Sequence, residues 1–563
     1  MNSNEIKQDK LFLVLLIIII LLGIFIRFYK FSEVGYLNDD MAHIPAGLMW
    51  FYPHDYFPGL NYGNPPLGDI FTGLGCKLSG EDFSGVSKVR PFFYPDRSIF
   101  LPNLAKEGVD IFCHMPMYIF GLIFFILIII FSLIFFEKYP ALFLISFFAF
   151  YNPLLYSSRW IKPDVVLWVF LILGVFFLLK TYYEDNFKKE LAFSLLSFLF
   201  FALAVATKFT ALIFFLLAVL ILLIKHKSEI LALSKKLNLT ILNKIEIPQH
   251  EKQLFKILIP SLIIFLIVLL IPFNFNPKNF YDTYQSYQQM NEQLGSIFIN
   301  PVNIIKYFKE NLINFNIIDL LIFIFAIYLF FRIIFLKNKT KLEILTVWLI
   351  IVGILTSLCF PVINNPTRSF PFIWGILFLL ALSFSDREYS ILKIKRKRIF
   401  FATFLIIYII LSFSISLFAA PYFQTKNPLL CHLTEEKCVI NLSPYNNKAT
   451  AVYLKSILNE NETFLGQEGT IFFYFRQEQY FQSWYFDQAF SKQFNRQPTT
   501  LEKIKNFHPN NRTIRYLLIY PYKKYKDEFI LNIKDNYKPN HVILLNKEET
   551  TLIYDLQNLQ KNA

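Results

Sequence analysis

Leu11-Phe12-Leu13-Val14-Leu15-Leu16-Ile17-Ile18-Ile19-Ile20-Leu21-Leu22-Gly23-Ile24-Phe25-Ile26 is a continuous apolar run, preceded by Lys7 and Lys10 and followed by Arg27-Phe28-Tyr29-Lys30. A hydrocarbon layer about 30 Å thick needs roughly 20 such residues from a helix that crosses it. Basic residues flank the run and no small-x-small cleavage site follows, so it reads as an uncleaved first span rather than a signal peptide. Further apolar blocks recur along the chain. With the first, they place eleven candidate spans near 11–29, 115–136, 140–157, 164–183, 191–207, 209–224, 254–273, 317–336, 342–360, 368–384 and 399–419.

Composition agrees. Of 563 residues, 55% are hydrophobic and 17% charged, too little polar surface for a soluble protein of this size. The net charge of +14 does not point to nucleic acid, because the basic residues lie between apolar blocks in the usual juxtamembrane pattern. The fold expected is an α-helical polytopic membrane protein.

Sidedness follows from the same residues. Lys188 and Lys189, the group from Lys225 to Lys244, Lys337 to Lys341, and Lys393, Lys395, Arg396, Lys397 and Arg398 all fall on one side when the N-terminus is cytoplasmic. This predicts an integral protein of the plasma (cell inner) membrane. A large first loop (30–114), a 274–316 loop and the tail after 420 are then all outside. Cys76 and Cys113 share the first loop, and Cys431 and Cys438 share the tail, two pairs suited to disulfides in an oxidising compartment. The expected domains are a transmembrane unit over 1–420 and a small extracytoplasmic α/β domain over 421–563. Ile514–Tyr520 and His541–Leu545 read as strands of that domain, with helices over 447–459 and 523–536. It carries no phosphate loop or nucleophile elbow and reads as a lid or docking module.

The chemistry concentrates in the first loop. Asn38-Asp39-Asp40-Met41-Ala42-His43-Ile44-Pro45-Ala46-Gly47 leads to Asp55 and then to Asn64-Pro65-Pro66-Leu67-Gly68-Asp69. In a helix starting at Asp39, His43 would share a face with both acids. Three further polar insertions lie at the same edge of the membrane: Arg159-Trp160-Ile161-Lys162-Pro163-Asp164, Ala206-Thr207-Lys208-Phe209 and Asn364-Asn365-Pro366-Thr367-Arg368. Each has an ordinary reading. Asp164 can cap a helix, Lys208 can snorkel, Arg368 can anchor an interface, and His43 can be a buried structural histidine. Their convergence on one face at one depth argues instead for a site.

These motifs, in this order, resemble the GT-C glycosyltransferases, chiefly the protein mannosyltransferase and aminoarabinose transferase group. The likeness runs over residues 1–420. It rests on the acidic pair with His43, Gly47, Asp55 and Asn64-Pro65-Pro66-Leu67, on Pro163-Asp164, on Ala206-Thr207-Lys208, and on Arg368-Ser369-Phe370-Pro371. Two positions depart from the family pattern: Asp39-Asp40 stands where Asp-Glu is usual, and Asn64 where Lys or His often stands. The resemblance implies inverting transfer of a sugar from a polyprenyl-phosphate carrier to an extracytoplasmic acceptor, which is a protein, lipid or glycan. Asp39 would be the general base and Asp164 a second catalytic acid. Asp40, His43, Asn64, Arg159, Lys162, Lys208 and Arg368 would bind donor phosphate or substrate. A divalent metal such as Mg or Mn on Asp39, Asp164 and His43 is compatible with this set but not required by it.

A membrane transporter or flippase of lipid-linked sugars is the main competitor. It would place charges at mid-span and repeat its halves around broken helices, whereas here the charges sit at the outer rim. A non-catalytic binding scaffold is the third reading.

Overall fold

The computed structural model of the protein describes residues 10–36, 40–52, 65–88, 101–226, 253–293, 397–419, 444–466, 474–475, 480–482, 501–505, 508, 511–521, 528–545 and 548–562. The helices of the first part are α1 (Lys10–Phe28), α2 (Asp40–Leu48), α3 (Leu67–Lys77), α4 (Val109–Phe135), α5 (Lys138–Phe150), α6 (Asn152–Arg159), α7 (Asp164–Tyr183), α8 (Phe187–Thr207), α9 (Leu212–Lys225), α10 (Gln253–Leu270), α11 (Pro277–Gln293) and α12 (Lys397–Ala419). Among the described residues, five helices are long and apolar enough to cross a membrane: α1, α4, α7, α8 and α10, the first and last with their 3₁₀ extensions. Shorter apolar helices cover 138–150, 209–225 and 403–414. The candidate spans at 317–336, 342–360 and 368–384 lie outside the described residues.

Apolar faces are divided between core and surroundings. On α1, Phe12, Leu15, Leu16, Ile19 and Ile26 are buried, while Leu13, Ile17, Leu21 and Phe25 are exposed. Exposed apolar side chains on Ile263, Leu266 and Ile267 of α10 follow the same plan. In lipid this outer face carries no cost, so packing is concentrated on the inner one. There small residues permit close approach: Gly121 of α4 meets Ser158 of α6, and Ser194 of α8 hydrogen-bonds Ser261 of α10 at 2.9 Å.

The block at 140–157 is not one continuous helix. It is divided into α5 and α6 by an extended residue, Tyr151 (φ −70°, ψ 108°). Pro153 is the reason: within a continuous helix it has no N–H for the preceding turn and its ring would strike that turn's carbonyl. At the second position of a new helix neither objection holds. The break frees carbonyls at the end of α5, and Arg27 takes them. Its guanidinium donates to Phe148 O at 2.9 Å and Ala149 O at 3.2 Å, and lies 4.2 Å over the Phe125 ring. A buried cation in the bundle is thus satisfied by backbone oxygens left over from a proline.

Beyond residue 443 the chain forms α13 (Pro444–Ile457), β1 (Glu462–Gly466), β2 (Tyr480–Gln482), α14 (Leu501–Lys505), β3 (Thr513–Ile519), α15 (Glu528–Asn536), β4 (Tyr537–Lys538), β5 (His541–Leu545), β6 (Glu548–Asp555) and β7 (Gln560–Lys561). Five strands make a mixed sheet in the order β2-β1-β3-β6-β5, parallel at β2-β1-β3 and antiparallel at β3-β6-β5. Alternate residues face opposite sides. Leu465, Leu517, Leu552 and Tyr554 pack with Phe529 and Ile533 of α15. Phe464, Leu518 and Ile553 pack with α13 and with Tyr36, Ile44, Leu48 and Cys76 of the first part. Sheet and first loop therefore share one apolar core.

A disulfide joins Cys76 at the end of α3 to Cys113 in the first turns of α4 (Cα–Cα 4.2 Å, 37 residues apart). Cys431 and Cys438 lie outside the described residues. Closing a loop of this length stabilises by roughly 2–4 kcal/mol. The Cys76→Ser, Cys113→Ser double variant is expected to melt several degrees lower than the parent, and reduction should lower the melting temperature of the parent by more than that of the variant.

Candidate active site

The site begins where two helices touch backbone to backbone. A Cβ on Gly47 of α2 would lie 2.0 Å from Asp69 O and 2.5 Å from Gly73 N, and a Cβ on Gly73 of α3 would lie 2.1 Å from Gly47 C and O. No residue but glycine fits either position. One turn before this crossing on each helix stand His43 and Asp69, and the contact brings them together: His43 Nδ1 is 2.7 Å from Asp69 Oδ1, both side chains buried. Asp40, the first residue of α2, is fully buried and meets His114 of α4, whose Nε2 is 3.5 Å from Asp40 Oδ2. Asp40 and His43 thus share a helix but take different partners. The tyrosines nearby keep their protons: burial, reinforced by the charge of Asp110, pushes the hydroxyls of Tyr36 and Tyr474 well above their ordinary range.

The start of α3 carries the same packing outward. A Cβ on Gly68 would lie 2.3 Å from Pro163 Cβ and 3.4 Å from Thr207 Cγ2. The Pro65-Pro66-Leu67-Gly68 turn therefore rests on the residues immediately before Asp164 and Lys208. Asp164 opens α7, where the helix dipole favours an acid. Lys208 is the extended residue (φ −159°, ψ 128°) between α8 and the 3₁₀ turn Phe209–Ala211. Its Nζ lies 2.7 Å from Asp164 Oδ1, a bond between positions 44 residues apart. The next residue, Phe209, is held edge-on by Phe280 and Tyr284 of α11 at 5.6 and 5.5 Å between ring centres, so the 277–293 helix lies against the lysine's turn.

Three motifs distant in the chain, the double-proline turn, Pro163-Asp164 and Thr207-Lys208, are thus in contact. Residues 17–281 match the sequence model of the family described as dolichyl-phosphate-mannose-protein mannosyltransferase. The crystal structure of ArnT from Cupriavidus metallidurans in the apo state aligns over 96% of this chain and 97% of that one, with a TM-score of 0.50 at 11% identity. The chain resembles the GT-C glycosyltransferases in sequence and in fold. ArnT from the same organism bound to undecaprenyl phosphate superposes with a TM-score of 0.47 at 12% identity, over 96% of this chain and 97% of that one. The S. cerevisiae protein O-mannosyltransferase Pmt1-Pmt2 complex bound to the sugar donor gives 0.30 at 18% identity, over 49% of this chain and 34% of that one. No curated protein matches the sequence.

In this GT-C-like chain the remaining expected residues are placed as follows. Arg159 is buried and donates from Nη2 to Ile26 O at 2.5 Å, which sets it against the end of α1. Lys162 Nζ lies 3.4 Å over the Trp160 ring. Asp39, Asp55, Asn64 and Arg368 lie outside the described residues. Among the described residues no three His, Cys, Asp or Glu side chains come close enough to hold a metal ion. The sequence reading passed over Asp69 and His114. Asp69 ends the stretch Leu67-Gly68-Asp69, and His114 lies one residue before the span expected from 115. The helix starts at Val109, so both Asp110 and His114 are helical.

Two outcomes follow from this packing. Gly73→Ala forces apart two backbones in contact and is expected to destabilise by at least the ~1–3 kcal/mol of ordinary overpacking, read as a lower melting temperature. Lys208→Met leaves a buried Asp164 carboxylate without its lysine, a loss of about 3–5 kcal/mol. Adding Asp164→Asn to Lys208→Met should recover part of that loss in a double-mutant cycle.

Proposed function

We propose that the protein is an inverting glycosyltransferase that moves a sugar from a polyprenyl-phosphate carrier to an extracytoplasmic acceptor. The observation that carries this reading is the contact of Gly68 with Pro163 and Thr207, which sets the Asp164–Lys208 pair beside the turn that follows the acidic loop. The donor class is supported by the family description, whose substrate is a sugar on a lipid phosphate. Under this reading the chain has eleven spans, a cytoplasmic N-terminus, and its first loop, 274–316 loop and tail on the outer side. The transmembrane unit covers 1–420 and the outer domain 421–563.

The chemistry needs three groups. A carboxylate, assigned to Asp39, takes the proton of the acceptor hydroxyl as its oxygen attacks the anomeric carbon. The bond from that carbon to the phosphate oxygen breaks with its electron pair, and a single displacement inverts the centre. Cations receive the charge that collects on the departing phosphate. Lys208 suits this role as an ammonium held 2.7 Å from Asp164 Oδ1, beside the double-proline turn that Gly68 packs against Pro163 and Thr207. Asp164 then acts by orienting the lysine, and Arg368, Lys162 and Arg159 complete the assigned cations, with Asn64, Asp40 and His43 on the substrate side. A divalent metal on Asp39, Asp164 and His43 would stabilise the same phosphate.

Against a transporter, two described ion pairs of the long helices stand at helix ends. Asp164 opens α7 and Lys208 follows α8, while Glu190 lies in the first turn of α8, 2.9 Å from Lys225 at the end of α9. Purified protein supplied with polyprenyl-phosphate sugars should release polyprenyl phosphate and label an acceptor from an envelope fraction. Asp39→Asn is expected to lower this turnover by about 10²–10⁴-fold, and Lys208→Ala to lower it as well. Undiminished transfer by Asp39→Asn would remove the assignment.

A further inference from the structure

Asp110 stands in the first turn of α4, buried, and it is the point where the tail beyond residue 443 grips the first loop. Its Oδ2 receives Lys448 Nζ at 2.7 Å and Tyr474 Oη at 3.3 Å. Lys448 also donates to Ser32 O at 2.7 Å, and Lys455 donates to Ala105 O at 2.9 Å. Tyr474 in turn accepts from Tyr36 N at 3.0 Å.

On its other side Asp110 orients a histidine. The Asp110 carbonyl is 2.8 Å from His114 Nδ1. A carbonyl only accepts, so Nδ1 carries a hydrogen, and a second hydrogen, on Nε2 or on the Asp40 carboxyl, is what joins the ring to Asp40. Nε2 lies 3.5 Å from Asp40 Oδ2. The ring is flanked by Tyr36 at 6.0 Å between centres, and His114 and Asp40 are both buried. A fully buried carboxylate must be held by neighbouring polar groups, and here one of them is an imidazole whose rotation is locked by a backbone acceptor. Asp40 is the first residue of α2 and the chain neighbour of Asp39, the carboxylate assigned above as the base.

We propose that His114 is a positioning residue for Asp40, next in the chain to the assigned base, and that Lys448 and Tyr474 of the tail hold it in place through Asp110. The tail is then part of the catalytic architecture and not an attached module. This inference rests on the transferase reading above.

The test uses the full chain in lipid nanodiscs, with polyprenyl-phosphate mannose, glucose and aminoarabinose as donors and an envelope fraction as acceptor. His114→Ala is expected to lower kcat by about 10–100-fold, the scale of a small misplacement of a reacting group. KM for the donor should change by less than kcat does, since the cations assigned to its phosphate are untouched. His114→Gln, which keeps a donor and an acceptor, should recover part of kcat, and Lys448→Met should lower kcat in the same sense. Unchanged kcat in His114→Ala overturns the inference. So does a loss that follows a fall in melting temperature and is equal in His114→Gln. Either result leaves Asp39-dependent transfer standing. A parent protein that turns over none of the donors overturns both.

Discussion

Everything at the site hangs on how closely α3 can be approached. Gly68, Gly73 and Gly75 place its backbone against Pro163 and Thr207, against Gly47, and against Phe112 O and Pro116. Its end is bonded to α4 through Cys76 and Cys113. One eleven-residue helix therefore touches α2, α4, the start of α7 and the end of α8. In a medium that supplies no hydrophobic drive between helices, such contacts depend on small residues and shape. A single methyl group at the crossing would part the carboxylates, histidines and lysine that it assembles.

Charge then follows from geometry. A lone carboxylate removed from water is too costly to keep, so among the described residues the buried acids around the site meet basic groups. His43 takes Asp69, Asp40 meets His114, and Asp164 takes Lys208, and at the opposite end of α8 Glu190 takes Lys225 and His226. Matching makes the groups tolerable and also aims them. A lysine bonded to Asp164 has its ammonium fixed in place at the start of α7.

The tail is drawn into the same scheme. The sheet presents one apolar face to its own helix and the other to the first loop, so neither part buries its apolar residues fully without the other. The polar contacts made by Lys448, Lys455 and Tyr474 sit at the rim of that shared core, which is why they land on Asp110 and on the carbonyls of Ser32 and Ala105.

Length and apolarity are one-dimensional properties, so the helical membrane character of the chain was legible from runs such as Leu11–Ile26. So was the candidacy of Asp164 and Lys208, because a charge beside a span is conspicuous in sequence. Pro153 also stood in plain view. Its effect on the 140–157 block was missed because an apolar run hides a break that only backbone hydrogen bonding reveals. Pairing was not legible. That His43 meets Asp69, that Asp40 meets His114, and that Asp164 and Lys208 share a bond are decided by which backbones can touch, and the sequence shows the glycines without naming their partners. The tail's grip on Asp110 is of the same kind: it joins positions more than 300 residues apart, and only the packed chain sets that distance.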